Sequence, residues 1–346
     1  MKRLSFQFRR QTRHPFFADL VNLSLLPITL LLWLAPLWGF ADLFRQVWPV
    51  WALLSVLLCL AAIALRQPRI LLIASMTILI IVPIGGELWR MSFAGPSATL
   101  SGGLPVTFAT HNIWGRNRTP QVTSDYLIDL NADILALQEA GARTRDIHQP
   151  VAEHYAYVSD CRRASARIFS HLPILESGCM RDILDQNRAP GAPAWRWDIP
   201  SSTWARIQLP DGSNFVVISV HFTWPNPLSF QNEERINFTE IIQVFDQDSL
   251  VILGDFNAAA PSAALNRFDR DMSLIRRTHG IATWPSNGRF TSEDGDAPPL
   301  PTMVAGIDHI YAGNRWATAN VRRGPNTGSD HRPIESMLIF RPPSVD

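Results

Sequence analysis

The amino-acid sequence predicts an α/β domain preceded by a helical transmembrane region. The 346 residues are 47% hydrophobic and 18% charged, a composition that excludes an intrinsically disordered chain. Long uncharged apolar runs occur only in the first ninety residues, and short apolar runs alternate with helical patterns after them. This alternation is typical of layered α/β proteins. We therefore expect a membrane anchor over 1–90, a linker over 91–104 and a second domain over 105–342.

Three apolar runs without a charged residue, at 20–40, 48–65 and 70–86, are the candidate transmembrane helices. Crossing the hydrocarbon core takes about 20 helical residues, so the first two runs are long enough and the third is marginal. The alternatives are a buried helical core or a cleaved signal peptide, but a signal peptide has one apolar stretch and this chain has three.

Basic residues flanking these runs predict the orientation of the anchor. Five of them precede the first run, whereas the first loop holds one arginine and the second loop two. Because basic residues concentrate on the cytoplasmic side, we expect a multi-pass protein of a bacterial inner (cytoplasmic) membrane. The N-terminus would be cytoplasmic, and the domain 105–342 would lie in the periplasm or outside the cell. The five residues are Lys2, Arg3, Arg9, Arg10 and Arg13.

Charge is divided unevenly between the two parts of the chain. Residues 1–103 hold nine basic and three acidic residues, and the remainder holds 22 basic and 27 acidic ones. A strongly basic nucleic-acid-binding domain is disfavoured by this distribution.

Two cysteines, Cys161 and Cys179, occur in the second domain, 18 residues apart. An exported domain permits a disulfide between them, and two independent buried thiols are the alternative. Cys59 lies inside the second apolar run, where a small buried residue is expected.

Short apolar runs in the second domain predict buried strands, and helical spacing covers 121–130 and 229–245. Several of these runs end in a polar residue that would be costly to bury unpaired. Carboxylates and amides gathered at one end of a sheet suit a hard divalent cation, Mg²⁺ or Mn²⁺. Zinc is disfavoured because no Cys or His pairs have ligand spacing. The runs are 106–112, 132–139, 215–222, 249–257 and 307–312.

The order of these polar residues resembles the endonuclease/exonuclease/phosphatase superfamily. The resemblance covers about 105–342 and is carried by LQE (137–139), GDFNA (254–258), IDHIY (307–311) and SDHRPI (329–334). It implies a four-layer α/β sandwich, in which two mixed sheets pack face to face with helices outside. It also implies cleavage of phosphate esters with a divalent metal.

The resemblance also implies a role for each matching residue. Glu139 and Asp330 correspond to metal ligands, and Asn112 to an amide that supports the metal and the phosphate. Asp255 corresponds to the residue that orients or deprotonates the attacking water, and Asn257 to a group that binds the phosphate or the nucleophile. His331 matches the essential histidine, Asp308 the carboxylate that orients it, and His221 a residue that assists the leaving group.

One position departs from the family pattern. An acidic or amide residue often stands two positions after the motif asparagine, where this chain has Trp114. Because of this difference, the sequence does not decide between one and two bound metal ions. The tryptophan is either a platform for a base, sugar or lipid headgroup, or a packed core residue.

These patterns predict a metal-dependent phosphodiesterase tethered to the membrane, whose partners are the lipid bilayer and a phosphoester substrate. The substrate is a nucleic acid or a phospholipid headgroup. Arginine pairs such as 162/163 suit the first, and the tryptophans 195, 197, 204 and 224 suit the second. The alternative function is a catalytically silent binding module of the same fold. No protein partner can be deduced.

Overall fold

The computed structural model describes residues 15–67, 69–93, 103–188, 194–195, 198–226, 228–260, 262–286 and 305–342. Trp197 and most of the linker predicted over 91–104 lie outside these residues.

The described part of the N-terminal region holds four helices: α1 (Pro15–Leu34), α2 (Gly39–Gln46), α3 (Trp48–Ala64) and α4 (Ile70–Phe93). The first apolar run, 20–40, is not one helix, because α1 ends at Leu34 and α2 begins at Gly39. Pro36 lies between them, and proline removes a helical hydrogen bond and clashes with the preceding turn. Helices α1, α3 and α4 pack together through buried residues that include Leu25, Ala62 and Ile73.

In the described residues, one helix is long and apolar enough to cross a membrane, Phe16–Leu34. Helices α2 and α3 would make a second span if they are taken as one element bent by 70°. Helix α4 spans Ile70–Phe93, and its part Ile70–Val82 counts among the apolar helices of 10–17 residues.

The first β-sheet has six strands in the order β11-β12-β1-β2-β4-β3. Strands β1 and β2 are parallel, and the other neighbours are antiparallel. The strands are β1 (Leu104–Asn112), β2 (Ile134–Gln138), β3 (Tyr157–Val158), β4 (Arg167–Ser170), β11 (Trp316–Arg323) and β12 (Ile334–Phe340).

The second β-sheet also has six strands, in the order β5-β6-β7-β8-β10-β9, and its one parallel pair is β7 and β8. The strands are β5 (Ile174–Cys179), β6 (Ser201–Gln208), β7 (Asn214–His221), β8 (Val251–Asp255), β9 (Ile275–Arg276) and β10 (Asp308–Ala312).

The two sheets pack face to face, with helices on both outer surfaces. Phe108 of the first sheet and Phe215 of the second meet in the central core, with ring centroids 6.0 Å apart. The outer face of the first sheet is covered by α5 (Pro120–Leu130) and α6 (Arg145–His154). The outer face of the second sheet is covered by α7 (Met180–Asn187), α8 (Leu228–Ile241) and α9 (Ala263–Asp271). The predicted four-layer sandwich is confirmed.

Candidate active site

The ends of five strands bring the predicted site residues to one edge of the sandwich. In the first sheet β1 ends at Asn112, which is paired with Gln138, and Glu139 follows directly. In the second sheet His221, Asp255 and Asp308 lie in one row across β7, β8 and β10. The register of the strands therefore places the polar residues of both sheets side by side.

Asn112 joins the two sheets at this edge. Its amide Nδ2 donates to Glu139 Oε1 at 3.2 Å and to Asp255 Oδ2 at 2.9 Å, and its Oδ1 accepts the Trp114 N–H at 3.0 Å. The Gly115 N–H donates to Glu139 Oε2 at 2.6 Å. Asn112 therefore holds both carboxylates in place across the interface between the sheets.

Asp308 and His331 form a buried pair beside this amide. His331 Nδ1 lies 2.9 Å from Asp308 Oδ2, and its Nε2 lies 3.7 Å from Asp255 Oδ2 and 4.0 Å from Asp330 Oδ1. Nδ1 donates to the carboxylate, so Nε2 is directed toward the other acidic groups. Asp308 thus sets the orientation of the imidazole.

His221 and Asn257 complete the set around Asp255. His221 Nε2 lies 3.5 Å from Asp255 Oδ2. The Asn257 N–H donates to Asp255 Oδ1 at 2.8 Å, and its Nδ2 donates to the carbonyl of Phe222 at 2.8 Å. All eight predicted site residues are therefore joined by contacts of 4.0 Å or less, and their individual roles remain predictions.

Burial and neighbouring charges shift the pKa values in this cluster in opposite directions. Burial lowers the pKa of His331, but the carboxylates of Asp308 and Asp255 outweigh it and raise the value to about 10. Burial raises the pKa of Asp255 above its ordinary value. In Asp308, attraction to His331 and the hydrogen bond to it outweigh burial and lower the pKa. The arrangement therefore favours a protonated His331 beside an Asp255 of increased basicity.

Three residues of the site adopt the left-handed backbone conformation. The φ angles are 59° at Glu139, 57° at Trp114 and 45° at Asn257. None of them is glycine, and such conformations persist where the surroundings enforce them, as they often do at functional sites. At Glu139 the backbone carbonyl accepts hydrogen bonds from Thr144 Oγ1 at 2.6 Å and from the Gly141 N–H at 2.8 Å.

The charge of the cluster fits a divalent cation. Within the described part of the chain, no ion pair joins Glu139, Asp255 or Asp308 to an arginine, and the ion-pair partners of Asp255 and Asp308 are histidines. Atoms of Asp255, Asp308 and His331 lie within 4.8 Å of one another, but the protonated His331 is a partner of the two carboxylates and not a metal ligand, which leaves Glu139 and Asp330 for a cation. Several carboxylates with little compensating charge are the hard oxygen donors that Mg²⁺ and Mn²⁺ prefer.

Sequence reasoning missed several residues that support the site. Ser329 Oγ donates to the Asn112 carbonyl at 2.6 Å and accepts the His331 N–H at 3.1 Å. Gln231 of α8 donates to the Asn257 carbonyl at 3.1 Å. Both side chains bond to backbone atoms of the site. Gln231 lies outside the sequence motifs, and Ser329 opens the SDHRPI motif, where sequence reasoning gave it no role of its own.

Two histidines next to the site residues are structural. His111 and His309 are buried, and burial lowers the pKa of each to about 3. His309 Nε2 donates to the Ala258 carbonyl at 2.9 Å, and its Nδ1 accepts from Thr278 Oγ1 at 2.9 Å. His111 pairs with Thr327. They are held neutral inside the fold, behind the cluster of predicted site residues.

A cavity of about 890 Å³ opens beside His221. Trp224, which is 56% exposed, stands on its wall together with Ser165 and Arg163. Arg163 is paired with Asp182 at 2.6 Å, so its charge is compensated. Cys179, which also lines the cavity, forms a disulfide with Cys161. The cavity extends the row of site residues into a space that can hold a substrate.

Two packed mixed sheets with an acidic cluster and an Asp–His pair at one edge are the architecture of a class of hydrolases that act on phosphoester bonds in general. The chain belongs to the Endonuclease/Exonuclease/phosphatase family, which matches residues 109–331. Divalent-metal dependence is general in this family. No protein of curated function matches the chain significantly in sequence.

Solved structures of low sequence identity are similar to this chain, and two of them, at a TM-score of 0.50, share its fold. The endonuclease/exonuclease/phosphatase family protein from Bacteroides thetaiotaomicron is 17% identical, with a TM-score of 0.50, over 70% of this chain and 100% of that one. The corresponding protein from Bacteroides vulgatus is 16% identical, with a TM-score of 0.50, over 69% and 100%. Sphingomyelinase C from Streptomyces griseocarneus is 13% identical, with a TM-score of 0.46, over 69% and 100%.

Proposed function

We propose that this protein is a Mg²⁺- or Mn²⁺-dependent phosphodiesterase, anchored in a bacterial inner membrane with its catalytic domain exported. The observation that carries the proposal is the continuous polar cluster in which Asn112 joins Glu139 to Asp255, next to the Asp308–His331 pair. The substrate class at this level is a phosphoester, in a nucleic acid or a lipid headgroup.

We assign to Asp255 the role of orienting and deprotonating the attacking water. Burial raises the pKa of this carboxyl, so the carboxylate accepts a proton more readily than an ordinary aspartate. Hydrogen bonds from Asn112 Nδ2 and the Asn257 N–H fix both of its oxygens. An aligned carboxylate with amide neighbours can orient a water opposite the leaving oxygen and take its proton.

We assign to His331 the role of stabilising the negative charge on the phosphoryl oxygens of the substrate. With a pKa raised to about 10, its imidazole carries a positive charge at neutral pH, and Asp308 fixes the direction of Nε2. A preorganised cation at this point stabilises the negative charge that develops on the phosphoryl group. His221 lies at the boundary with the cavity and is assigned to the leaving group.

Glu139 and Asp330, with Asn112 as support, are the proposed metal ligands. A bound divalent cation supplies charge neutralisation on the non-bridging oxygens of the phosphoester. In this structure Asn112 directs its amide nitrogen to the carboxylates, and its Oδ1 accepts the Trp114 N–H. Its main contribution is then to hold Glu139 and Asp255.

Membrane attachment is supported by the apolar helix Phe16–Leu34 and by the basic residues ahead of it. The Cys161–Cys179 disulfide suits an oxidising compartment. The basic residues ahead of the helix and the disulfide both favour a catalytic domain outside the cytoplasm.

Hydrolysis of bis-p-nitrophenyl phosphate by the full-length protein in detergent, with Mn²⁺ and with excess EDTA, tests the catalytic part of the proposal. We expect Mn²⁺-dependent release of p-nitrophenol, a loss of about 10²–10³-fold or more in His331→Ala, and near wild-type rates in His154→Ala. His154 is an exposed histidine bonded to Asn131, so it controls for the loss of an imidazole.

Two results would contradict the proposal. Full activity in EDTA would exclude the metal requirement. Folded protein without Mn²⁺-dependent activity on this ester, DNA, RNA or phospholipid would favour a catalytically silent binding module.

A further inference from the structure

Helix α2 of the N-terminal region caps a helix of the catalytic domain. Asp42 Oδ1 accepts the Ala263 N–H at 2.6 Å, and Oδ2 accepts the Ala264 N–H at 2.9 Å. These amides open α9, and Asp42 is only 1% exposed. The first amides of a helix lack partners within the helix, and a carboxylate there is favourable. Asp42 therefore fixes α2 to α9 across 221 residues of sequence.

A second buried contact of α2 lies next to the catalytic residues. Gln46 Oε1 accepts the Ala259 N–H at 3.1 Å, two residues after Asn257. At the other end of α2, a Cβ placed on Gly39 would lie 3.0 Å from Leu228 Cδ1, and Leu228 begins α8 a few residues after His221. Helix α2 thus contacts the segments that follow two of the site residues, at the catalytic end of the second sheet.

An aromatic pair lies between these contacts and the cavity. Trp284 packs against Ala259, and its ring meets that of Trp224 edge to face, with centroids 5.5 Å apart. Trp224 follows His221 by three residues and lines the cavity. A continuous chain of contacts therefore joins α2 to the wall of the cavity.

The opposite side of α2 is apolar and exposed. On α2 itself, Phe40 is 49% exposed, and Leu43 and Phe44 are half-buried. The turn between α1 and α2 exposes Leu37 (85%) and Trp38 (51%) next to this side of the helix. Short amphipathic helices and exposed tryptophans are both typical of the lipid–water interface. Asp42 and Gln46 are buried against the catalytic domain, so the two faces of α2 have different partners.

We propose that α2 is an interfacial docking helix that holds the catalytic edge against the bilayer surface, and that the substrate is a phosphoester carried by a lipid of that bilayer. This rests on the proposed function. A docked site meets a lipid substrate at the high effective concentration of the membrane surface. A nucleic acid free in solution has no such advantage.

The orientation can be measured without enzymatic activity. The full-length protein is reconstituted in phosphatidylethanolamine/phosphatidylglycerol vesicles as the Cys59→Ser variant, with a fluorophore on Asn226→Cys near the cavity or on Asp211→Cys at the β6–β7 turn. Both positions are exposed. Lipids with a nitroxide headgroup should quench the label at 226 at least twofold more than the label at 211. Equal quenching, or stronger quenching at 211, would overturn the proposed orientation.

The substrate class is tested in a variant that lacks the hydrogen bonds between α2 and the catalytic domain. In Asp42→Ala/Gln46→Ala we expect hydrolysis of the lipid headgroup in the same vesicles, followed by ³¹P NMR, to fall at least tenfold more than hydrolysis of soluble bis-p-nitrophenyl phosphate. Asp211→Ala is the matched control. If the double variant does not fold, Gln46→Ala alone, which keeps the α9 cap, should show the same selective loss in smaller degree.

An equal loss on both substrates would show that α2 only supports the site, and preferred cleavage of DNA or RNA over vesicle lipid would assign the other substrate class. Either result overturns the inference. Inactivity of the wild type on every substrate would instead refute the proposed function, and the quenching measurement would still decide whether α2 docks the catalytic edge on the bilayer.

Discussion

Asp308 acts on the reaction through the histidine that it holds. Its Oδ2 accepts from His331 Nδ1 at 2.9 Å, and both side chains are buried. Groups that act as one unit lose activity non-additively. We expect Asp308→Ala/His331→Ala to be no more than about threefold slower than His331→Ala alone. Steady-state rates on bis-p-nitrophenyl phosphate measure this, and multiplied losses would show that the two residues act independently.

Glu139 should respond to added metal, and His331 should not. Glu139→Gln keeps an oxygen but removes a full charge from the ligand set, so the Mn²⁺ concentration for half-maximal rate should rise at least about tenfold, with partial rescue at high Mn²⁺. Extra metal cannot replace the imidazole of His331→Ala. The measurement is a Mn²⁺ titration of each variant, with exposed Glu153→Gln as the control. Rescue of His331→Ala but not of Glu139→Gln would reverse the two assignments.

Four of the site residues were predictable because each stands at the end of an apolar run. Asn112, Glu139, His221 and Asp255 are polar where the apolar pattern stops, and their strands meet at one edge. Ser329 could not be found in this way, since its partners are backbone atoms of β1 and of its own loop. The left-handed backbone conformation of Glu139 likewise depends on contacts with its surroundings, which the sequence pattern does not show.

At the level of elements, strands with continuous burial were predictable and half-exposed ones were not. Strands β2, β8 and β10 are buried at every residue, and each lies within a predicted apolar run. Strand β5 is exposed or half-buried at all but its last residue, so hydrophobicity gives no signal. Helix α1 ends before the apolar run does because Pro36 follows it, and a hydrophobicity pattern alone does not show this effect of proline.

Strand β10 contains an imidazole that should make the fold sensitive to acid. The pKa of His309 is lowered by burial to about 3, below the unfolded value of about 6.5. Its stabilising contribution is therefore present above pH 6.5 and is lost as the pH falls toward 3. Between pH 7 and pH 5 the imidazole is protonated in the unfolded state but not in the folded state, and this lowers the free energy of unfolding by about 2 kcal/mol.

His309→Gln keeps a donor and an acceptor but cannot gain that proton. We expect it to be less stable than wild type at pH 7 and to lose about 2 kcal/mol less on acidification to pH 5. Chemical unfolding of the full-length protein in detergent at both pH values is the measurement, with His154→Gln as an exposed control. An unchanged acid response would show that His309 is not the group responsible.

For the molecule as a whole, the contact between α2 and the catalytic domain restricts the topology. Helix α2 lies between α1 and α3, and the catalytic domain follows α4. If α1, α3 and α4 each cross the membrane, the segment holding α2 and the domain after α4 are on the same side. The hydrogen bonds of Asp42 to α9 require the same arrangement. An even number of crossings after α2 thus agrees with the observed docking.

The last prediction is that this shared side is outside the cytoplasm. The five basic residues ahead of α1 favour a cytoplasmic N-terminus, so three crossings export the catalytic domain. Alkaline phosphatase, which is active only when exported, should be active when fused after Asp346 and after Gln46, and inactive after Arg66 in the loop between α3 and α4. Fluorescent-protein fusions at the same positions should give the opposite pattern. An inactive phosphatase with a bright fluorescent fusion after Asp346 would place the domain in the cytoplasm and invert the topology.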